Sequence, residues 1–376
     1  MIDPARFVDN LRELGVTMYT GVPDSLLKQL GAHIMATLPR KNHVIAANEG
    51  GAVAIAMGHY LRTGSPAVVY LQNSGMGNTI NPLLSLADPD VYGAPMVVIV
   101  GWRGQPGVKD EPQHVKQGRV MTALLDALGL PWSVLPRDPG AADSMMAEAV
   151  KVAVDGKSPY VVLVEKDTFA KADVSLPTAA GQEDLVGRED ALIAMAEAVG
   201  QEAIIVSTTG MLSRELFEYR ERSGQSGERD FLTVGGMGHA SSIALGIAMS
   251  ETDREVWCFD GDGALLMHLG GLAVIADHGP HTYFHVVFNN GVHDSVGGQP
   301  TSVNLVDVAA VARAMGYRYA LSTGDLASVA YAVAQLRSHG GPALLELKVR
   351  PGNRAGIGRP TRTPAQSKQA FMAALR

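Results

Sequence analysis

The sequence predicts an α/β protein made of two doubly wound, parallel-sheet domains of the same type. Three observations carry this. The chain has 376 residues, more than one compact core holds, and calls for two cores of about 100–200 residues each. Short apolar, β-branched runs alternate with helical stretches, the pattern of buried parallel strands joined by right-handed crossovers. The alternation then repeats in register along the chain. Composition agrees: 46% apolar, 18% charged, only 6% aromatic, with 42 glycines, a small-residue-rich α/β balance rather than a disordered or fibrous one.

In the first half the strands are expected at Val16–Tyr19, Val44–Ala46, Ala67–Leu71, Met96–Val100 and Tyr160–Val164. They define a domain over residues 1–170, followed by a linker at 171–187 marked by Pro177, Gly181 and scattered charge. The second domain, 188–376, has strands expected at Ala203–Val206, Glu255–Phe259, Tyr283–Phe288 and Ala343–Lys348. A shift of 188 lays Gly50 on Gly238, Ala52 on Ala240, Ile55 on Ile243, Gly58 on Gly246 and Gly75 on Gly263. A shift of 189 lays Thr20-Gly21 on Thr209-Gly210. Two copies of one unit explain why helix, strand and glycine loop keep one offset.

The net charge of −7 comes without a basic stripe, which argues against a nucleic-acid partner. The opening residues carry Asp3, Arg6 and Asp9, and no apolar run approaches the roughly 18–20 residues of a membrane span, so the expectation is a cytoplasmic protein with no membrane partner. The single cysteine, Cys258, lies in the apolar run Val256–Phe259 and reads as a buried strand residue.

The chemistry concentrates at strand ends. Gly261-Asp262-Gly263 closes one strand and, 25 residues on, Asn289-Asn290 closes the next. Open α/β sheets bind ligands outside those carboxyl ends, and hard cations take carboxylate, amide and carbonyl oxygens together with ligand phosphates. Asp262 and Asn290 meet that demand, while Gly261 and Gly263 let backbone approach a phosphate and a helix starting near Ala264 turns its amides to the same place.

With these residues the sequence resembles the thiamine-diphosphate-dependent 2-oxoacid decarboxylases, whose pyrimidine-binding and diphosphate-binding domains share one fold. The resemblance spans almost the whole chain and implies thiamine diphosphate and Mg²⁺ as cofactors. It implies Asp262, Asn290 and the Val292 carbonyl as metal ligands; the sequence departs from the commoner three-domain decarboxylases in having no middle domain. It also points to Glu49, which opens the small-residue helix from Gly50 to Gly58, as the carboxyl that activates the pyrimidine. Shifted by 188, Glu49 falls on Met237, whose implied role is to prop the bent cofactor; Gly235 would accept from its amino group, and Thr209 and Gly210 resemble a further diphosphate contact. The reaction implied is non-oxidative decarboxylation, with the thiazolium C2 as nucleophile and the electron-poor thiazolium ring as electron sink.

Several segments resemble the phosphonopyruvate decarboxylases of this group: Thr20–Leu27, Gln72–Gly75, Lys109–His114, Gly291–Gln299 and the tail from Arg354 to Pro360. The sulfopyruvate decarboxylases are close relatives. The implied substrate is a small anionic 2-oxoacid whose dianion needs several donors; Ser25, Arg103, Lys109, Arg354 and Arg359 are the candidates. Asp24, His114, His293 and Asp294 are candidates for proton transfer. The family builds its sites between subunits, which implies a homo-oligomer, a dimer or larger. A nicotinamide-dependent dehydrogenase fits less well, because no Gly-x-Gly-x-x-Gly follows the first strand. A non-catalytic binding protein would have no use for Glu49, and carboligases of the same cofactor class are longer chains.

Overall fold

Strands whose side chains are apolar in both alternating directions must be covered on both faces, and here they are. In the computed structural model, which describes residues 1–174, 184–251 and 253–376, the first sheet holds β1 (Tyr19–Gly21), β2 (His43–Ile45), β3 (Ala67–Gln72), β4 (Met96–Gly101), β5 (Trp132–Val134) and β6 (Pro159–Val164). All neighbours pair in parallel, in the order β2-β1-β3-β4-β6-β5. Val68, Tyr70, Val97 and Ile99 pack on one face with Phe7, Leu11, Leu30 and Met146. Val69, Leu71, Val98 and Val100 pack on the other with Ala52, Val53, Met121 and Leu125. Each such Val or Leu contributes about 1.5–3 kcal/mol.

The second sheet holds β7 (Ile204–Ser207), β8 (Asp230–Leu232), β9 (Val256–Gly261) and β10 (Tyr283–Asn289). After a two-stranded ribbon, β11 (Val292–His293) with β12 (Gln299–Pro300), it is completed by β13 (Tyr319–Thr323) and β14 (Ala343–Lys348). Its order is β13-β14-β10-β9-β7-β8, again all parallel. Numbered within its own unit, this is the same order as in the first sheet, so the repeat seen in the sequence is a repeat of topology. In both sheets the order reverses between the first and third strands, the switch point where open α/β sheets bind ligands.

The chain divides into two compact units, Met1–Thr178 and Ala179–Arg376. Of the linker expected at 171–187, residues 175–183 lie outside the described residues. Its flanks belong to the units: Phe169 bridges to Ile2, and Gly187 to Arg350.

Some expectations shift. The first strand lies at Tyr19–Gly21 rather than Val16–Tyr19, because Val16 N–H still closes the preceding helix on Leu11 O (2.9 Å) after Gly15 turns at φ +84°. The edge strands β5, β8 and β13 were not expected; they are short or only half-buried and carry Ser133, Asp230 and Ser322. The ribbon was not expected either.

Candidate active site

The second unit gathers its polar groups at the ends of β7, β9 and β10. Main-chain pairing carries β9 through Gly261, and a helix takes over at Asp262, two residues earlier than Ala264. A Cβ on Gly261 would meet nothing within 4 Å, so backbone is open to a ligand there. A Cβ on Gly263 would stand 2.9 Å from the His293 ring and 3.4 Å from the Met237 methyl. Met237, Gly263 and His293 therefore converge on one spot. Gly236 and Gly238, at φ +65° and +86°, hold Met237 in a turn, and the helix begins only at Ala240.

Asp262 is 3% exposed. Burial pushes its carboxyl up to about 6, against donation from the Thr301 hydroxyl and the main-chain N–H groups of Asp262, Asn290 and Gly263. Asn290 turns its amide nitrogen to Asp294 (2.7 Å), leaving the amide oxygen with only a 3.2 Å contact from Val292 N–H. The donor set is thus a buried carboxylate beside Asn290, whose main-chain N–H reaches it and whose amide oxygen is only weakly engaged. It fits a hard divalent cation, whose charge would restore the ionised carboxylate that burial alone disfavours. Gly210, at φ +107° and ψ −140°, adopts a conformation reserved for glycine and starts the helix Met211–Ser223 beside Thr209 at the end of β7.

Asp294 has its carboxylate fully engaged. Arg188 donates to it (2.8 Å), as do Asn290 and the Gly352 N–H (3.1 Å), and Arg188 also forms a two-pronged pair with Glu215 at 2.9 Å. This network fixes Asn290 and the tail. Arg354, offered above as a substrate group, pairs instead with Glu189 and Glu218. Arg359 is exposed on the same tail. Burial holds the His293 imidazole down to about 4.

The first unit gathers a second group at the ends of β1, β3 and β4. Asn48 caps the helix Glu49–Thr63 by accepting from Gly51 N–H (2.8 Å), which places the buried Glu49 at its first turn. Burial raises the Glu49 carboxyl, and Asn78 donates to its Oε2 at 2.7 Å. A Cβ on Gly75 would fall 2.3 Å from its Oε1. Asp24 is 2% exposed; its Oδ2 accepts from Leu26 N–H at 2.8 Å and Leu27 N–H at 3.2 Å, while Oδ1 has no hydrogen-bond partner among the described residues. Burial pushes it up to about 6, against donation from Leu26 N–H and the charge of Arg103.

Arg103 is held through both its main chain and its guanidinium. Asn73 makes two bonds to its main chain, at 2.8 and 3.1 Å. Asp110 takes Nε (2.8 Å) and Nη2, and Nη1 donates to Ser25 Oγ at 2.8 Å. Asp110 also accepts from Gly104 N–H and Glu111 N–H and lies 3.0 Å from His114 Nδ1, so its carboxyl sits far below the usual range despite burial. Burial lowers His114, and Asp110 opposes that. Lys109 is exposed and makes no ion pair among the described residues. Asn78, Arg188 and Thr301 were not singled out from the sequence, and Asn73 and Asp110 entered only inside the segments Gln72–Gly75 and Lys109–His114, with no role of their own. Asp110 left a spacing signal as well, four residues before His114 and just ahead of the helix Pro112–Ala127.

Comparison with known proteins matches residues 5–126 to the N-terminal TPP binding domain of thiamine pyrophosphate enzymes and residues 208–347 to the C-terminal TPP binding domain. Over 99% of its length the chain is 38% identical to a phosphonopyruvate decarboxylase of Streptomyces viridochromogenes, covering 95% of that protein. It is 37% identical to the phosphonopyruvate decarboxylase of Streptomyces hygroscopicus, covering 93% of it. A sulfopyruvate decarboxylase of Methanosarcina acetivorans is 25% identical over 93% of this chain and 91% of its own. A repeated fold matched domain by domain, in a chain that pairs with these relatives from end to end, belongs to the thiamine pyrophosphate enzymes, in the family of the phosphonopyruvate decarboxylases.

Proposed function

We propose that this chain catalyses the non-oxidative decarboxylation of 3-phosphonopyruvate to phosphonoacetaldehyde and CO₂, with thiamine diphosphate bound through Mg²⁺. The observation that carries the reading is identity of 37–38% along nearly the whole chain to two phosphonopyruvate decarboxylases, against 25% to the sulfopyruvate decarboxylase.

The cofactor supplies the carbon nucleophile and the electron sink. The chain's own residues do the rest. Asp262, the Asn290 amide oxygen and the Val292 carbonyl hold the metal, with Thr301 and the Asn290 main chain steadying Asp262. Gly261, Gly263 and Ala264, with Thr209 and Gly210, take the diphosphate. Met237 and Gly235 position the rings. Glu49 holds a proton at the pyrimidine nitrogen, a role that burial favours by raising its carboxyl against donation from Asn78. Ser25 and the Nη1 edge of Arg103 meet the phosphonate, with Lys109 at the rim. Asp24 and His114 stand on either side of that arginine as the groups that move protons. Asp294 and Arg354 serve the fold of the tail, because both are already paired.

The same reading carries a cytoplasmic homo-oligomer of at least two chains that share their sites. Mixing inactive Glu49→Gln and Asp262→Ala chains tests the sharing, since activity returns only if one chain's Glu49 serves with another's Asp262. For the described residues, no helix is long and apolar enough to cross a membrane. The test of function is decarboxylation of phosphonopyruvate, sulfopyruvate and pyruvate side by side. Faster turnover of sulfopyruvate moves the assignment to the sister activity, and no turnover of any of the three overturns it.

A further inference from the structure

Beneath the end of β9, on the face packed with Tyr283, Leu272 and Ile275, three side chains of different ligating chemistry meet in the core. Cys258 stands opposite His285 in the register of β9 and β10, and Asp260, two residues along, shares its face. Their ligating atoms lie within 4.8 Å of one another, and no other such group of His, Cys, Asp and Glu occurs among the described residues. All three are at most 1% exposed.

Two of these atoms are orphans. Asp260 Oδ1 accepts from Gly261 N–H at 2.9 Å, but Oδ2 has no hydrogen-bond partner, and neither has His285 Nε2. They face each other across 3.5 Å. A direct hydrogen bond would close to about 2.7–3.0 Å and satisfy both. Two ligands of one tetrahedral ion, at bond lengths of about 2.0–2.3 Å, stand about 3.3–3.6 Å apart. The other ring nitrogen, Nδ1, lies 3.4 Å from the Tyr317 hydroxyl, in the place of the outer partner that orients a metal-bound imidazole.

We propose that Cys258, Asp260 and His285 form a buried site for one Zn²⁺ ion, separate from the Mg²⁺ site at Asp262 and Asn290. A thiolate, an imidazole and a carboxylate select a borderline ion such as zinc over magnesium. With thiolate and carboxylate ionised, the two negative charges cancel the ion's two positive ones, so the core holds a neutral cluster in place of an unpartnered carboxylate oxygen. Three protein ligands leave one position for water. The ion ties β9 to β10 just below Asp262, and its burial means that it enters as the chain folds and resists chelators afterwards.

Elemental analysis of the full chain, after dialysis against a chelator that strips Mg²⁺, should find close to one zinc per chain. Asp262→Ala should retain it, which separates this site from the cofactor's metal. Cys258→Ala and His285→Gln should lose it. Protein grown in cobalt-supplemented medium supplies a test without any substitution: a thiolate-to-cobalt charge-transfer band in the near ultraviolet. Metal-free wild type with no cobalt band, or zinc undiminished in both variants, overturns the proposal.

Discussion

Burial raises the carboxyls of Asp24, Glu49 and Asp262 at the level of single residues. Asp24 is held up to about 6 from 3.8. Between those values the folded chain keeps a proton that the unfolded chain has released, so this group's contribution is most favourable in acid and is lost as pH rises through about 4 to 6. Asp24→Asn keeps an oxygen for the Leu26 and Leu27 N–H groups and removes that loss. It should raise stability at pH 7.5 by up to about 3 kcal/mol, and the gain should vanish near pH 4. Thermal melts at both pH values check this; an equal shift at each would refute it. Glu49→Gln should still bind thiamine diphosphate yet lose most activity and most hydrogen–deuterium exchange at the cofactor's C2. Exchange as fast as in the wild type would reduce Glu49 to a helix-start residue. Asp262→Ala should abolish metal-dependent cofactor binding, and unchanged affinity in a titration with thiamine diphosphate and Mg²⁺ would sink the metal assignment.

Elements bring these residues together, and here the sequence was legible only in part. Gly261-Asp262-Gly263 and Asn289-Asn290 could be read because a glycine turn and a paired amide at strand ends are local patterns. Asn78 could not be paired with Glu49, nor Thr301 with Asp262, because those contacts span 29 and 39 residues and depend on how elements pack. The basic residues were the least legible. An arginine's side chain shows its partner only after folding: Arg354 found Glu189 and Glu218, which no spacing marked, and Arg103 found Asp110, whose spacing pointed to His114 instead. The buried network at Arg188 makes a prediction at this scale. Arg188→Met leaves Glu215, 1% exposed, without its counter-charge, which costs about 3–5 kcal/mol. It also frees Asp294 to pull Asn290 out of place, so urea unfolding and Mg²⁺ affinity should both weaken. A loss below about 1 kcal/mol would show that the network is replaceable.

Across the whole molecule the repeat was the most informative feature, because matching offsets in helix, strand and glycine loop require two units of one topology, and both sheets have it. What the repeat could not show is how the copies diverged. The position of Glu49 in the first unit is Met237 in the second, where two left-handed glycines replace the start of a helix. On the reading proposed above, that divergence puts the metal anchor in one unit and the activating carboxyl in the other, and leaves the first unit's Ser25–Arg103–Asp110 group as the one proposed to choose the substrate. A prediction of specificity follows. The Arg103 guanidinium is half-buried, and its Nη1 and the Ser25 hydroxyl are the donors proposed to face the substrate anion. A methyl group in place of the phosphonate leaves such donors unpaired at about 1–3 kcal/mol each, more for charged ones, so two of them give on the order of a hundredfold or more in kcat/KM for phosphonopyruvate over pyruvate. Arg103→Met should raise KM for phosphonopyruvate while leaving the slow pyruvate rate nearly unchanged. A fall in both rates together would make Arg103 a strut for the loop after β4 rather than a substrate contact, and comparable wild-type rates on the two substrates would remove the specificity claim altogether.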